Sequence, residues 1–212
     1  MVEIPIILKL RKEAHKEIAR AQDLLIEEVY KIFEDAVLHG GTSIWRCYKG
    51  NRFSEDLDFY LDKDNKKIEA LFENLRKNFV IEKRKISENS LFSVLNFNGT
   101  IIRFEAVFKK IKGELKEYEK ADGNLISIYT LSVEELIKEK TDTYLKRLKI
   151  RDLYDVFFLL RYADKTTDIN RLIKNLKKPV DENELKVLII EGLVPNVEGM
   201  LNYIKKWEKK SI

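Results

Sequence analysis

Two aspartates, Asp56 and Asp58, stand two residues apart in the run Arg52-Phe53-Ser54-Glu55-Asp56-Leu57-Asp58-Phe59-Tyr60-Leu61. On an extended strand alternate side chains leave the same face, so the two carboxylates would root about 7 Å apart. Carboxylates so placed can share divalent cations. Magnesium prefers carboxylate and phosphate oxygens in octahedral geometry, so this pair supplies protein ligands while a polyphosphate and waters complete the shells. For the Asp-x-Asp pattern taken alone, a solvent-facing strand side that merely alternates acidic and apolar residues stays open.

Two neighbouring features bear on that choice. Leu38-His39-Gly40-Gly41-Thr42 ends an apolar stretch and opens a helical one, so unhindered backbone N–H groups and the positive end of a helix dipole can face a phosphate. An ordinary tight turn is the competing account of Gly40 and Gly41. Ser43 adds a spare hydroxyl, and His39 reads as a turn residue. Farther on, Ile101 to Phe108 alternates so that Arg103 and Glu105 share one face and Ile102, Phe104, Ala106 and Phe108 the other. Glu105 is a candidate third carboxylate, either binding a metal that activates an attacking hydroxyl or accepting its proton. An Arg103 to Glu105 surface pair fits the spacing equally.

The elements that must position these groups are legible from periodicity. Ala14, Ile18, Ala21, Leu25, Val29, Ile32 and Phe33 recur at three- and four-residue spacing and predict an amphipathic helix over 11–36. Ala36-Val37-Leu38 reads as a short strand, and Thr42 as the cap of a helix carrying Ile44, Trp45 and Tyr48. The acidic run from Arg52 to Leu61 alternates as a strand. Ile68, Leu71, Phe72 and Leu75 predict another helix, followed by strands over 79–86, 91–97 and 101–108, with Asn98-Gly99 as a hairpin turn. Beyond Leu115 the pattern changes. Ser132 and Glu135 predict a capping box, only helices are read from Ser132 onward, and Pro179 and Pro195 punctuate them. The predicted architecture is α+β: a mixed sheet flanked by helices over residues 1–115, and a helical bundle over 116–212 that completes a substrate cleft.

Composition narrows the class further. Of 212 residues 36% are charged, yet 40 Lys and Arg nearly cancel 36 Asp and Glu, so the surface is salt-rich and not polycationic. The formal charge of +4 is compatible with a nucleotide or nucleic-acid partner without demanding one. A lone Cys47 excludes an internal disulfide framework, and no Cys/His spacing suits structural zinc. Nowhere do apolar residues run for about 18 positions, and the N-terminal stretch lacks a signal-peptide pattern. A cytoplasmic protein, neither secreted nor membrane-spanning, is expected.

The combination His39-Gly40-Gly41-Thr42-Ser43-Ile44 with Arg52-x-Ser54-x-Asp56-x-Asp58 resembles the AbiEii-type branch, including the MenT-like toxins, of the DNA polymerase beta-like nucleotidyltransferase superfamily. A later helical signature matches as well: Glu139-Lys140, Arg147, and Arg151-Asp152-Leu153-Tyr154-Asp155. Two departures are visible, Glu105 where many relatives use Asp and His39 where Lys is common. The resemblance implies a two-metal, magnesium-dependent transfer of a nucleotide from a nucleoside triphosphate, with manganese as an alternative ion. Metal ligands would be Asp56, Asp58 and Glu105. Nucleotide contacts would come from Gly40, Gly41, Thr42, Arg52, Ser54, Lys140, Arg147, Asp152 and Asp155, with Lys140 on phosphate and counted among the catalytic groups. The acceptor would be RNA, such as a transfer-RNA 3′ end, or protein, and the chain would be the toxin of a toxin–antitoxin or abortive-infection system with a cognate antitoxin.

Physically, Lys140, Tyr144, Arg147 and Arg151 recur at three- and four-residue spacing and predict one helix stripe facing the acidic sheet, with a solvated face as the competing account. Two other functions remain open. A catalytically silent module could bind nucleic acid through Lys174, Lys177, Lys178, Lys205, Lys206, Lys209 and Lys210, with steep salt dependence. A phosphohydrolase could use the same carboxylates on water.

Overall fold

Apolar residues spaced three and four apart give the N-terminal helix a continuous stripe, and the computed structural model, which describes residues 4–207, buries that stripe. After α1 (Ile6–Lys9), helix α2 (Glu13–Ile32) turns Ile18, Ala21, Leu25 and Val29 inward. It leads into β1 (Val37–His39), α3 (Gly40–Cys47) and β2 (Leu57–Leu61). Helix α4 (Asn65–Leu75) follows, capped by the Asp64 side chain, which accepts from the amides of Lys66 and Lys67. Strands β3 (Val80–Ile86), β4 (Ser90–Phe97) and β5 (Thr100–Phe108) match the sequence expectation. Asn98 and Gly99 close the last hairpin, both at positive φ as a tight primed turn requires.

Two further strands, β6 (Glu114–Glu119) and β7 (Leu125–Thr130), lie where the sequence reading sees no strand. β6 is an edge strand, and its Glu-Leu-Lys-Glu-Tyr-Glu sequence carries charges that mask alternation, a common protection of open edges. Asp122-Gly123 is the turn signal between them, with Gly123 at φ 89°. Among the described residues the strands form one mixed sheet in the order β3-β4-β5-β2-β1-β7-β6. β2 pairs with β5, and β1 with β7, in parallel; the other neighbours are antiparallel.

One face of that sheet is core. Leu57, Phe59 and Leu61 of β2 and Ile102, Phe104 and Ala106 of β5 are buried, with Phe59 against Tyr30 of α2 and Phe104 against Phe72 of α4. Asp58 and Tyr60 alternate with the buried residues of β2, and Arg103 and Glu105 with those of β5, on the opposite, partly exposed face. Behind the core Arg46 of α3 is fully buried and donates to Asp23 of α2 and to the Tyr118 hydroxyl of β6, at 3.1 Å in the latter case. Asp23 also accepts the Ala121 amide at 2.7 Å, so one ionic cluster joins α2, α3 and the β6 hairpin.

The chain divides into two compact units, one of residues 1–49 and 53–131, the other of residues 50–52 and 132–212. The boundary expected between 115 and 116 falls inside β6. The strand expected from Arg52 begins only at Leu57, because Arg52 pairs instead as an isolated bridge with Ile189 of the second unit. Gln22 of α2 donates to the Ser54 and Glu55 carbonyls (2.9 and 3.1 Å) and holds the intervening segment.

The second unit contains α5 (Val133–Arg147), α6 (Ile150–Leu159), α7 (Asn170–Lys174), a 3-10 turn (Glu182–Glu184), α8 (Leu185–Leu188) and α9 (Val197–Trp207). Ser132 and Glu135 form the predicted capping box of α5. Apart from the Arg52–Ile189 bridge every regular element of the described part is a helix, and Pro179 and Pro195 lie between helices. Lys209 and Lys210, named among the basic residues of the tail, lie outside the described residues.

Candidate active site

Helix α3 starts earlier than its sequence suggests, and the difference brings a glycine onto an aspartate. His39 occupies the N-cap and Gly40, at φ 73°, the first helical position. A β-carbon on Gly40 would overlap Oδ2 of Asp58 and lie 3.2 Å from its Cγ. The Asp58 carboxylate therefore rests against the opening of α3, and no residue with a side chain fits there without displacing it. Thr42 is inside the helix, not its cap. Its hydroxyl donates to the Asp56 carbonyl at 2.5 Å and so fixes the residue two before Asp58. Ser43 is not spare either: it is hydrogen-bonded to the Thr130 hydroxyl, which donates to the Leu38 carbonyl at 2.8 Å.

Across the parallel ladder Glu105 stands in register with Asp58. Partial burial, and then repulsion from Asp58 and Asp56, raises the Glu105 carboxyl above its ordinary value. The Arg103 to Glu105 pair that spacing left open is not the one that forms. Arg103 Nε and Nη2 donate to Oδ1 and Oδ2 of Asp56, both at 2.7 Å. Burial alone would lower the Arg103 guanidinium, but Asp56 outweighs it and the net shift is upward. His39 stacks on Tyr60 at 4.1 Å between ring centroids, and it ends β1 as the extended N-cap of α3, not as a turn residue.

The donors gathered here are hard carboxylate oxygens, which suit magnesium or manganese and not a thiophilic metal. Among the described residues no group of three or more carboxylates, histidines or cysteines already converges to hold a metal. Asp58 and Glu105 are adjacent, whereas Asp56 is engaged by Arg103. A cation here would be held by Asp58 and Glu105, with Asp56 joining where Arg103 yields.

Arg52, Lys140, Arg147, Asp152 and Asp155 belong to the second unit, where they form a chain of alternating charge. Arg52 Nε and Nη2 donate to the two oxygens of Asp155 at 2.8 Å each. Lys140 Nζ lies 2.9 Å from Asp155 and 3.8 Å from Asp152, and Arg147 grips Asp152 at 2.6 and 2.8 Å. Both aspartates are almost wholly buried. Burial would raise Asp155, but Arg52 and Lys140 overcome that and hold it below the ordinary aspartate range. The expected four-residue stripe is broken. Helix α5 stops at Arg147, Leu148 takes a left-handed conformation, and Arg151 sits on α6. Tyr144 is buried and donates to the Lys177 carbonyl. Arg52 therefore has Asp155 as a bidentate partner, while Ser54 contributes its carbonyl to Gln22. Sequence reasoning missed Tyr60 and the Arg103–Asp56 pair. The alternation that placed Arg103 and Glu105 on one face was a usable signal for the second.

No helix among the described residues is long and apolar enough to cross a membrane. Among curated proteins none matches the chain in sequence. Solved structures do match in fold. JHP933 from Helicobacter pylori aligns over 95% of this chain and 93% of its own, with a TM-score of 0.64 at 16% identity. MenT4, a nucleotidyltransferase toxin from Mycobacterium tuberculosis, aligns over 97% of this chain and 87% of its own, with a TM-score of 0.65 at 18% identity. The family described as nucleotidyl transferase AbiEii toxin of type IV toxin–antitoxin systems matches residues 24–192. With its α+β architecture and mixed sheet, the chain belongs to this AbiEii nucleotidyltransferase toxin family.

Proposed function

We propose that the protein transfers a nucleotide from a magnesium-bound nucleoside triphosphate to a hydroxyl of an RNA or protein acceptor. The observation that carries this reading is the Asp58 carboxylate set against the Gly40 bend and beside Glu105. Asp58 and Glu105, joined by Asp56, would hold the cation, which when bound supplies charge that offsets the triphosphate and acidifies the acceptor hydroxyl. The amide edge from Gly40 to Thr42 would face the phosphates. The acceptor oxygen forms a bond to the α-phosphorus as the bond to the β-phosphate oxygen breaks. Pyrophosphate departs and the hydroxyl proton passes to solvent. The protein's contribution is positioning and electrostatic neutralisation.

Asp58→Ala and Asp56→Ala are each expected to abolish magnesium-dependent label transfer from an α-labelled triphosphate. Unchanged transfer by both would reject the assignment. The phosphate role that the resemblance gives Lys140 is proposed separately, and Lys140→Met should raise the KM for triphosphate more than it lowers kcat. Incubation with each triphosphate and total RNA, followed by mass spectrometry of RNA and protein, would identify the acceptor. We place the activity in the cytoplasm, held in check by a cognate antitoxin.

A further inference from the structure

Two residues beyond Asp58, on the same face of β2, Tyr60 borders a cavity of about 360 Å³. Residues 109–113, the connection from β5 to β6, form its far wall. The Lys109 amide donates to the Leu61 carbonyl at 3.0 Å. At the other end Gly113 packs so closely on the sheet that a β-carbon there would stand 2.9 Å from Cβ of Tyr129 and 3.0 Å from Cγ2 of Val37. This strap thus leaves two tyrosine rings, Tyr60 and the partly exposed Tyr129, lining the cavity together with Lys109 and Lys112. Asp35 and Asp62 supply hydrogen-bond acceptors at its edge, Asp62 also 3.5 Å from Lys110.

We infer that this cavity is a subsite for a nucleobase of a single-stranded nucleic-acid acceptor, an assignment that rests on the nucleotidyl-transfer reading above and gives its acceptor a chemical class. Aromatic faces beside lysines are the means by which single strands are held without pairing, the rings stacking on bases and the cations neutralising phosphates. The volume falls in the roughly 300–1,000 Å³ range of small-ligand pockets. Alternate residues on a strand lie about 7 Å apart, so a strand whose terminal hydroxyl reaches Asp58 passes the His39 ring stacked on Tyr60 and brings a base into the cavity that Tyr60 and Tyr129 line. Asp35 and Asp62 accept from exocyclic amino groups, which favours cytosine, adenine or guanine over uracil. An acidic peptide would find the lysines but no use for the rings or for these carboxylates.

The test measures binding of a labelled oligo(C) of about ten nucleotides to the full chain by fluorescence anisotropy, without triphosphate, so that its readout is independent of transfer. Tyr129→Ala should raise the Kd about tenfold and Tyr129→Phe should leave it nearly unchanged, because the ring and not the hydroxyl carries the contact. Lys112→Ala should make the dependence of log K on log salt shallower by roughly one charge. Oligo(U) should bind more weakly than oligo(C). Wild-type Kd and salt slope in both the Tyr129→Ala and Lys112→Ala variants would overturn the subsite, even with label transfer intact. So would displacement of the oligonucleotide by a poly-glutamate peptide at equal charge, or by magnesium-free triphosphate alone, which would assign the cavity to a polyanion or to the donor's own base. The Asp58→Asn variant should keep oligonucleotide binding while losing transfer. A wild-type chain that binds in the expected pattern yet transfers nothing would retain the subsite and reject the activity.

Discussion

Gly40 and Asp58 occupy space that admits only one side chain between them. With Gly40 at positive φ and its missing β-carbon replaced by Oδ2 of Asp58, both backbone strain and overlap oppose any substitution. Gly40→Ala should cost about 1–2 kcal/mol from the left-handed conformation alone. By displacing the carboxylate it should also lower label transfer about a hundredfold. Urea denaturation and transfer assays on the same preparation check both effects, and a stable, fully active variant would show that the close approach has no catalytic purpose.

Arg103 competes with any cation for Asp56. Arg103→Met leaves the Asp56 oxygens without their two guanidinium donors, so the magnesium concentration for half-maximal transfer should fall by about threefold, the scale of a partly exposed ion pair. A magnesium titration decides it. A higher requirement would mean that Arg103 organises the carboxylates instead of occupying one.

Glu105 makes stability depend on pH. Its carboxyl is raised in the folded chain by burial, then by Asp58 and Asp56. Below the ordinary glutamate value of 4.5 the group is protonated both folded and unfolded, and no penalty exists. As pH rises through the higher folded value, the folded chain must carry a repelled charge and loses stability. Glu105→Gln should therefore melt above wild type at neutral pH, by less than about 1 kcal/mol because solvent screens the site. That gap should close below about pH 4 and narrow on adding magnesium, while transfer is lost. Thermal melts across pH would show the reverse trend if the neighbouring carboxylates did not repel.

Asp155 is a costly charge to remove. It neutralises Arg52 and Lys140 in the interior of the second unit. Asp155→Asn leaves two buried cations underpaired and should destabilise the chain by about 3–5 kcal/mol in urea denaturation. A loss below about 1 kcal/mol would mean that the cluster is solvated in solution.

Much of the first unit was readable from periodicity, because α2, α4 and β3 to β5 each bury one face and their apolar spacing records it. The Asp58 and Glu105 faces followed from the same alternation. What escaped was set by partners distant in the chain. β6 hides its pattern behind edge charges, and Arg52 leaves the acidic strand because Asp155, 103 residues away, offers it a bidentate partner. Tyr60 carried no motif at all, and becomes visible only when residues 109–113 fold beside it.

Residues 50–52 group with the helices although the segments on either side group with the sheet, so the polypeptide passes between the two units at 49–50, 52–53 and 131–132. Recombination at any single seam therefore cannot exchange the helical part as a cassette. A graft joined after residue 131 would inherit its acid from one parent and the guanidinium that satisfies it from the other, and the two must have diverged together for the hybrid to hold.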